Sequence, residues 1–264
     1  MSKQTIVTLN EETHVYTDNH GKTYISVSQL LGQFQKKFDR EGISKMSAKK
    51  AGVSQDEILA QWDRKRDDAI DHGNRLHNAL ELYQKTTQIL PENEDLVATI
   101  KSICNDYSSY YRAFPEEIIF SEEDLVAGKT DNRFQLTSSA KSIIDFGDYK
   151  TNLSNGIQYT NKYGQYMTGP LSHLQDCNFN KYAIQISMYA HLYQKKYECN
   201  IGSLHILFIP PHDLLAWRKI YIPYMKKECI DILEFRKSNA IVIATPEPKK
   251  SILTTFTSNE FDIM

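Results

Sequence analysis

No run in the sequence approaches the roughly 18 consecutive apolar residues that cross a bilayer, so the chain is not expected to span a membrane. Its first residues, MSKQTIVTLNEETHVYTDNHGKTY, contain no apolar stretch of the signal-peptide kind. The expected compartment is therefore a cytoplasm. Cysteine is scarce: only Cys104, Cys177, Cys199 and Cys229 are present, and no two share a CxxC spacing. With no export signal, a disulfide framework is not expected. Four scattered buried thiols are the simplest reading. An iron–sulfur cluster would need distant cysteines to converge, and nothing in their spacing suggests it. The phosphate-binding motif GxxxxGK[ST] does not occur, so any motor acting with this chain must be a separate protein. Internal repeats and low-complexity tracts are also missing.

A basic excess is lacking too. The net charge is −2, which argues against a protein that coats nucleic acid passively. It leaves room for an enzyme that gathers basic residues in one groove and acids around a metal. Sixteen tyrosines are many. Some are able to stack on bases, although most tyrosines serve core or surface. The 264 residues suffice for one well-buried domain with a helical elaboration.

The N-terminal segments TIVTL, HVYTD and KTYISVS alternate like short strands around a turn at Asn19-His20-Gly21. Ser26 or Ser28 caps a helix through QLLGQFQKKF, with Ser28 the better placed. QDEILAQWDRKRDDAIDHGNRLHNALELYQ has helical periodicity, burying Ile58, Leu59, Trp62, Ala69, Leu76 and Leu80. Pro91 breaks it, a second helix runs from Glu94 to Arg112, and Pro115 closes that segment. EEIIFSEEDLVAG, TDNRFQLT and SIIDFGDYKT then read as an antiparallel meander, turning near Gly128 and Ser138-Ser139. An irregular stretch from Asn152 to Asn178 is long enough to be functional, for example as a clamp around a strand. The amphipathic helix NKYAIQISMYAHLYQKKY, the strands SLHILFIP and WRKIYIP, and a helix from Tyr224 to Asn239 complete the order. The expected division is a hairpin and helical region (1–113) packed on a core of sheet and helices (114–240), then a polar tail (241–264).

Chemistry concentrates in GKTDNRF and IIDFGDYKT. Asp131 stands at the start of one strand, and Asp148 and Lys150 stand two apart on the next, hence on one face. Hard carboxylate ligands suit Mg²⁺ or Mn²⁺, which polarises a phosphate and activates water. The lysine would orient that water or offset charge on the phosphate. A DxK pair is also commonly a surface salt bridge. Here Ile144 and Phe146 share its alternating face, and a charged pair ending a buried face needs a partner. Asp145 is in the opposite register. On the long helix, Gly73, His77 and Glu81 lie along one face. Gly73 would admit a close backbone and His77 would offer a metal ligand or sit as a core histidine. Gln185 and Tyr189, four apart, would hydrogen-bond DNA phosphates or the lysine, or form a buried polar stripe.

In this order the three signals resemble the PD-(D/E)XK nuclease superfamily, and within it the RecB-like exonuclease group: GxxxHxxxE as Gly73–His77–Glu81, AGKTD ending at Asp131, Asp148-Tyr149-Lys150, and QxxxY as Gln185–Tyr189. Phage-encoded nucleases and the mitochondrial genome maintenance exonuclease are similar in the same elements. The resemblance covers roughly residues 62 to 210. It implies an α/β, restriction-endonuclease-like core with a mixed central sheet flanked by helices and an N-terminal helical elaboration. It also implies metal bound by His77, Asp131 and Asp148 with the main-chain carbonyl of Tyr149. Lys150 would assist the attacking water, with Gln185 and Tyr189 positioning the lysine or the DNA. Glu81 and Glu117 would be outer-shell or metal residues. Some relatives carry an iron–sulfur cluster on grouped downstream cysteines, which are not grouped here. The implied activity is Mg²⁺-dependent hydrolysis of DNA in replication, recombination or repair. It would act as an exonuclease on single strands or free ends, beside a separate helicase or single-strand-binding protein. The compartment would be a host cytoplasm if a phage encodes the chain. A structure-specific endonuclease on the same core, or a non-catalytic DNA-binding subunit, are the alternatives.

Overall fold

The computed structural model describes residues 4–108, 111–137, 142–151 and 156–239. The expected tail (241–264), the Ser138-Ser139 turn and the start of the irregular stretch (152–155) lie outside them. The N-terminal segments form three short antiparallel strands, β1 (Val7–Asn10), β2 (Val15–Asp18) and β3 (Thr23–Ser26). The predicted turn closes through Gly21 at φ +82°. The Asp18 carboxylate accepts the His20 and Lys22 N–H groups at 2.8 and 2.9 Å.

Helix α1 (Val27–Gly32) starts directly from β3. Ser26, not Ser28, is its cap. The Ser26 hydroxyl accepts the Gln29 N–H, and the Gln29 side chain accepts the Ser26 N–H. The helix is also shorter than QLLGQFQKKF. Phe34 turns into the core, its carbonyl accepts the Thr168 N–H at 2.8 Å, and the Lys36 N–H goes to Asp176 at 3.1 Å, so later elements claim the backbone groups that would have extended it. A separate helix follows, α2 (Arg40–Ala51), capped by Asp39 and ended by Gly52 at φ +69°.

The long predicted helix is α3 (Gln55–Thr86), opened by a Ser54–Glu57 capping box. Its first half packs on α2 through Ile58 and Trp62 against Ala48. Its second half lays Leu76, Ala79 and Leu80 against the sheet together with α4 (Val97–Ser108). α4 is shorter than expected, because Tyr111–Ser121 is already strand β4. Pro115 lies inside that strand instead of closing a helix. It is tolerated because, among the described residues, β4 pairs only with β5 and so needs no N–H on its other edge.

The turn after β4 falls at residues 122–125, where Ser121 and Asp124 hydrogen-bond each other at 2.6 Å, and not near Gly128. Val126–Leu136 is therefore one long strand, β5, with Asp131 in its middle instead of at a strand start. β5 is the axis of the sheet. One edge pairs with β4 along its length, from Tyr111↔Leu136 to Ser121↔Val126. The other is shared between β3, parallel at Ile25↔Val126, and β6 (Ile143–Lys150), antiparallel at Asn132↔Gly147. β7 (Asn200–Phe208) runs parallel to β6, and β8 (Arg218–Ile222) antiparallel to β7. The sheet is mixed, as an α/β protein requires when a helix carries the chain between parallel strands. β4 spans residues 113 and 114, and β3 joins β5 directly, so the N-terminal strands and the later ones lie in one sheet.

Helix α5 (Asn178–Lys196) makes the β6–β7 crossover. Residues 181–192 are all buried, so the amphipathic pattern understates its burial. The sheet covers one side, and α1 and α6 (Lys226–Ser238) cover the other. Cys177 and Cys229 are buried, Cys104 and Cys199 half-buried, all four free. Among the described residues no helix is long and apolar enough to cross a membrane.

Trp62 is 2% exposed and anchors α2 on α3. Trp62→Ala should lower the unfolding free energy by about 3 kcal/mol. In hydrogen exchange, protection should fall in α2 and the first half of α3 while β5 and β6 keep theirs; uniform loss across the sheet would contradict the two-cluster packing.

Candidate active site

Alternation along β6 places Ile144 and Phe146 in the core beneath α5, and Asp148 and Lys150 next on the same face, in a cavity of about 240 Å³. The Lys150 ammonium pairs with the buried Asp148 carboxylate and lies 4.9 Å from the Tyr182 ring centre on α5. Asp131 enters from β5. Its Oδ2 accepts the Tyr149 main-chain N–H at 2.7 Å and lies 3.5 Å from His77 Nδ1 on α3. The His77 ring meets Tyr149 edge-on, with centres 5.4 Å apart. The Tyr149 side chain belongs to the core on the opposite face, its hydroxyl accepting Gln84 at 3.2 Å, so Tyr149 serves the site through its main chain.

One acid was not anticipated. Glu116 on β4 takes φ +54°, a left-handed backbone that costs a non-glycine residue energy. The β4–β5 ladder steps from Pro115↔Asn132 to Glu117↔Thr130 and skips it. Glu116 thereby joins the cavity: donor atoms of His77, Glu116 and Asp131 all lie within 4.8 Å of one another. Adjacent glutamates gave no sign of which one turns inward. Glu117 instead pairs with Arg133, whose guanidinium stacks on Phe114 at 3.7 Å. Lys129 was likewise missed; it bridges Glu116 at 2.8 Å and Glu11 at 3.1 Å.

The other expected residues divide. Gln185 and Tyr189 line the cavity, Gln185 Nε2 donating to the Tyr189 hydroxyl at 3.1 Å. Gly128 makes room for that ring, since a methyl group there would lie 2.5 Å from Tyr189 Cε1. Glu81, one turn beyond His77, does not line the cavity and pairs with Lys85 at 2.5 Å. Gly73 admits no close backbone; a methyl there would meet only Thr151 Oγ1 at an ordinary 3.4 Å. Asp145 faces away and accepts the main-chain and hydroxyl groups of Ser203 at 2.8 and 2.7 Å.

The electrostatics follow from this crowding. Burial, and next the neighbouring Asp148 charge, push Asp131 well above the ordinary carboxylate range. Burial and the Asp131 charge raise Glu116 as well. Burial and the Lys150 charge lower His77 to about 4, so its imidazole is neutral at pH 7 and able to ligate. Burial works against the Lys150 charge, but Asp148 and Asp131 outweigh it and hold the ammonium above its usual value. The raised carboxyls of Asp131 and Glu116 beside a neutral imidazole form a donor set suited to a divalent cation. The His77–Asp131 spacing of 3.5 Å falls within the roughly 3–4 Å between adjacent ligands set by metal–oxygen bonds of about 2.1 Å.

No protein-family model and no curated protein matches the chain in sequence. Among solved structures, it is similar to a provisionally named exonuclease from Eubacterium rectale, with 11% identity and a TM-score of 0.37 over 82% of this chain and 79% of that one. It is also similar to the protein SSO0001, with 14% identity and a TM-score of 0.31 over 84% and 78%. TM-scores this low do not establish a shared fold.

The pH dependence separates the raised carboxylates from the lowered histidine. The raised Asp131 binds its proton more tightly folded than unfolded, so its contribution to stability falls as pH rises above about 4. The lowered His77 contributes the opposite slope, gaining between about 4 and 6.5. Above 6.5 the His77 gain is complete and the loss from the raised carboxylates Asp131 and Glu116 continues. In urea titrations with chelator, stability should decline with pH above 6.5. Asp131→Asn or saturating Mg²⁺ should flatten that decline; a slope indifferent to both would remove the carboxylate crowding.

Proposed function

We propose that the chain is a metal-dependent nuclease that hydrolyses DNA phosphodiester bonds, acting as an exonuclease. The observation that carries this reading is the meeting of Asp131, Asp148, Glu116 and neutral His77 around one cavity that also holds a half-buried, charged lysine. An ordinary surface salt bridge would not bury its carboxylate, nor would it stand among three further ligating groups. A Mg²⁺ or Mn²⁺ ion held by His77, Asp131, Asp148 and Glu116, with the Tyr149 carbonyl, would polarise a phosphodiester and offset its charge.

The chain's own groups supply the rest. Lys150 is pinned by Asp148 and stays protonated, so it serves as a hydrogen-bond donor to the attacking water or a phosphate oxygen and not as a general base. Tyr149 N–H fixes the Asp131 carboxylate through Oδ2, the oxygen that also stands 3.5 Å from His77 Nδ1. Among the described residues the buried Gln185 Oε1 in the cavity wall has no hydrogen-bond partner, and its amide is oriented by Tyr189. The pair is therefore set to hold Lys150 or the strand. These groups stand on strands and helices, which keeps them in place before substrate arrives.

End-labelled single- and double-stranded DNA, incubated with Mg²⁺ and with chelator, tests the reading. Cleavage should require the metal, and a covalently closed circle should stay intact; a nicked circle would indicate an endonuclease instead. Lys150→Ala should lower the rate on the order of a hundredfold or more with folding and DNA binding retained. Equal activity in that variant would remove the assignment. His77→Ala should raise the Mg²⁺ concentration needed, and unchanged kinetics at limiting Mg²⁺ would make the histidine structural.

A further inference from the structure

Immediately after Lys150 the chain becomes unusual in charge. From Tyr149 through Gln175 it carries no acidic residue, although acids outnumber bases overall. Within this stretch Tyr159, Tyr163 and Tyr166 are 55%, 71% and 46% exposed. The Lys162 ammonium lies 5.0 Å from the Tyr163 ring centre. Three exposed aromatic rings within eight residues, with a cation among them and no anion beside them in sequence, match the chemistry that single-stranded nucleic acid selects.

The rings stand on an ordered scaffold. Asn161 is its hub: its Oδ1 accepts the Tyr163 and Gln165 N–H groups at 2.8 and 3.2 Å, and its Nδ2 donates to the Asp176 carbonyl at 2.7 Å. Ile157, Met167 and Leu171 are buried and join the main core. The loop is thus fixed by its own polar hub and apolar anchors while the tyrosines face solvent. A surface whose only task was to close a loop would have no use for rings held out in this way. Fixing the backbone that carries them removes part of the ordering cost of binding.

The scaffold is also continuous with the active site. Gln158 and Asn178 hydrogen-bond at 2.6 Å, and the Tyr159 ring contacts Phe179 with centres 4.7 Å apart, which fastens the loop to the start of α5. The same helix then presents Tyr182 to Lys150, and Gln185 to the cavity. Phe179 and Gln185 are six residues apart, roughly 9 Å along the helix axis, or about two to three stacked nucleotides at 3.4 Å each.

We infer that the segment Tyr159–Tyr166 is a stacking platform for the bases of a single-stranded DNA segment whose scissile phosphate lies at Lys150. The identity of that strand as substrate rests on the nuclease reading; the platform itself is a binding site and is tested as one. Duplex DNA hides the faces of its bases and does not use it.

The test measures fluorescence anisotropy of labelled oligo(dT) with the wild-type chain in chelator, where cleavage does not intrude, beside an abasic oligonucleotide of equal length. Replacing Tyr159, Tyr163 and Tyr166 together by alanine should weaken oligo(dT) binding about tenfold or more, with abasic binding and thermal unfolding unchanged. Replacing all three by phenylalanine should preserve oligo(dT) affinity, because stacking needs the ring and not the hydroxyl. Equal oligo(dT) affinity in the alanine variant, equal losses for both oligonucleotides, or no oligo(dT) binding by the wild-type chain overturns the platform. The nuclease reading fails separately, if the wild-type chain does not cut DNA with Mg²⁺ yet still distinguishes the alanine from the phenylalanine variant.

Discussion

Asp131 and Asp148 share one cavity in which the Asp148 charge makes the ionisation of Asp131 costly, and much of the molecule is arranged around that repulsion. Lys150 neutralises Asp148 from the same strand face, the Tyr149 N–H stabilises Asp131 from the main chain, and His77 stays uncharged where a second cation would be expected. Glu116 adds a third carboxylate at the expense of a left-handed backbone. A fold that only needed stability would replace such a cluster with apolar residues. Retaining it makes chemical sense when a divalent cation supplies the missing charge.

The sheet holds these groups in register. Asp131 and Asp148 come from adjacent antiparallel strands, Glu116 from the strand on the far side of β5, and His77 from the helix packed across them. No residue of the charged cluster depends on a loop. The N-terminal hairpin extends the same sheet through β3, and it contributes Glu11, His14 and Tyr16 to the cavity wall. α5, buried along its central turns, ties the cluster to the tyrosine-bearing loop, so that the two ends of the proposed strand path share one rigid element.

Much of this was legible before any coordinates. Two-residue alternation in IIDFGDYK put Asp148 and Lys150 on the face of Ile144 and Phe146, since that period belongs to every strand. Four-residue spacing brought Gln185 beside Tyr189 for the same local reason on a helix. The long helix bearing His77 followed from its apolar period, and its capping box is present at Ser54 and Glu57. The misreadings have a common cause, which is competition from distant groups. Ser26 displaced Ser28 as cap because β3 had to end where it meets β5. Helix α1 stopped early because Thr168 and Asp176 took its backbone partners. Pro115 became a strand residue because, among the described residues, β4 pairs only with β5.

The sequence by itself determined the elements whose period is local: the carboxylate–lysine strand, the histidine helix, and the glutamine–tyrosine helix with their order along the chain. Only the tertiary structure decided that Glu116 and not Glu117 turns inward, that Glu81 pairs with Lys85 outside the cavity, and that Lys129 links the N-terminal hairpin to the acids. Spacing along one element is set by backbone geometry that each residue carries with it. Which of two neighbouring side chains reaches a shared cavity depends on a dihedral angle that strands far apart in sequence impose when they pack.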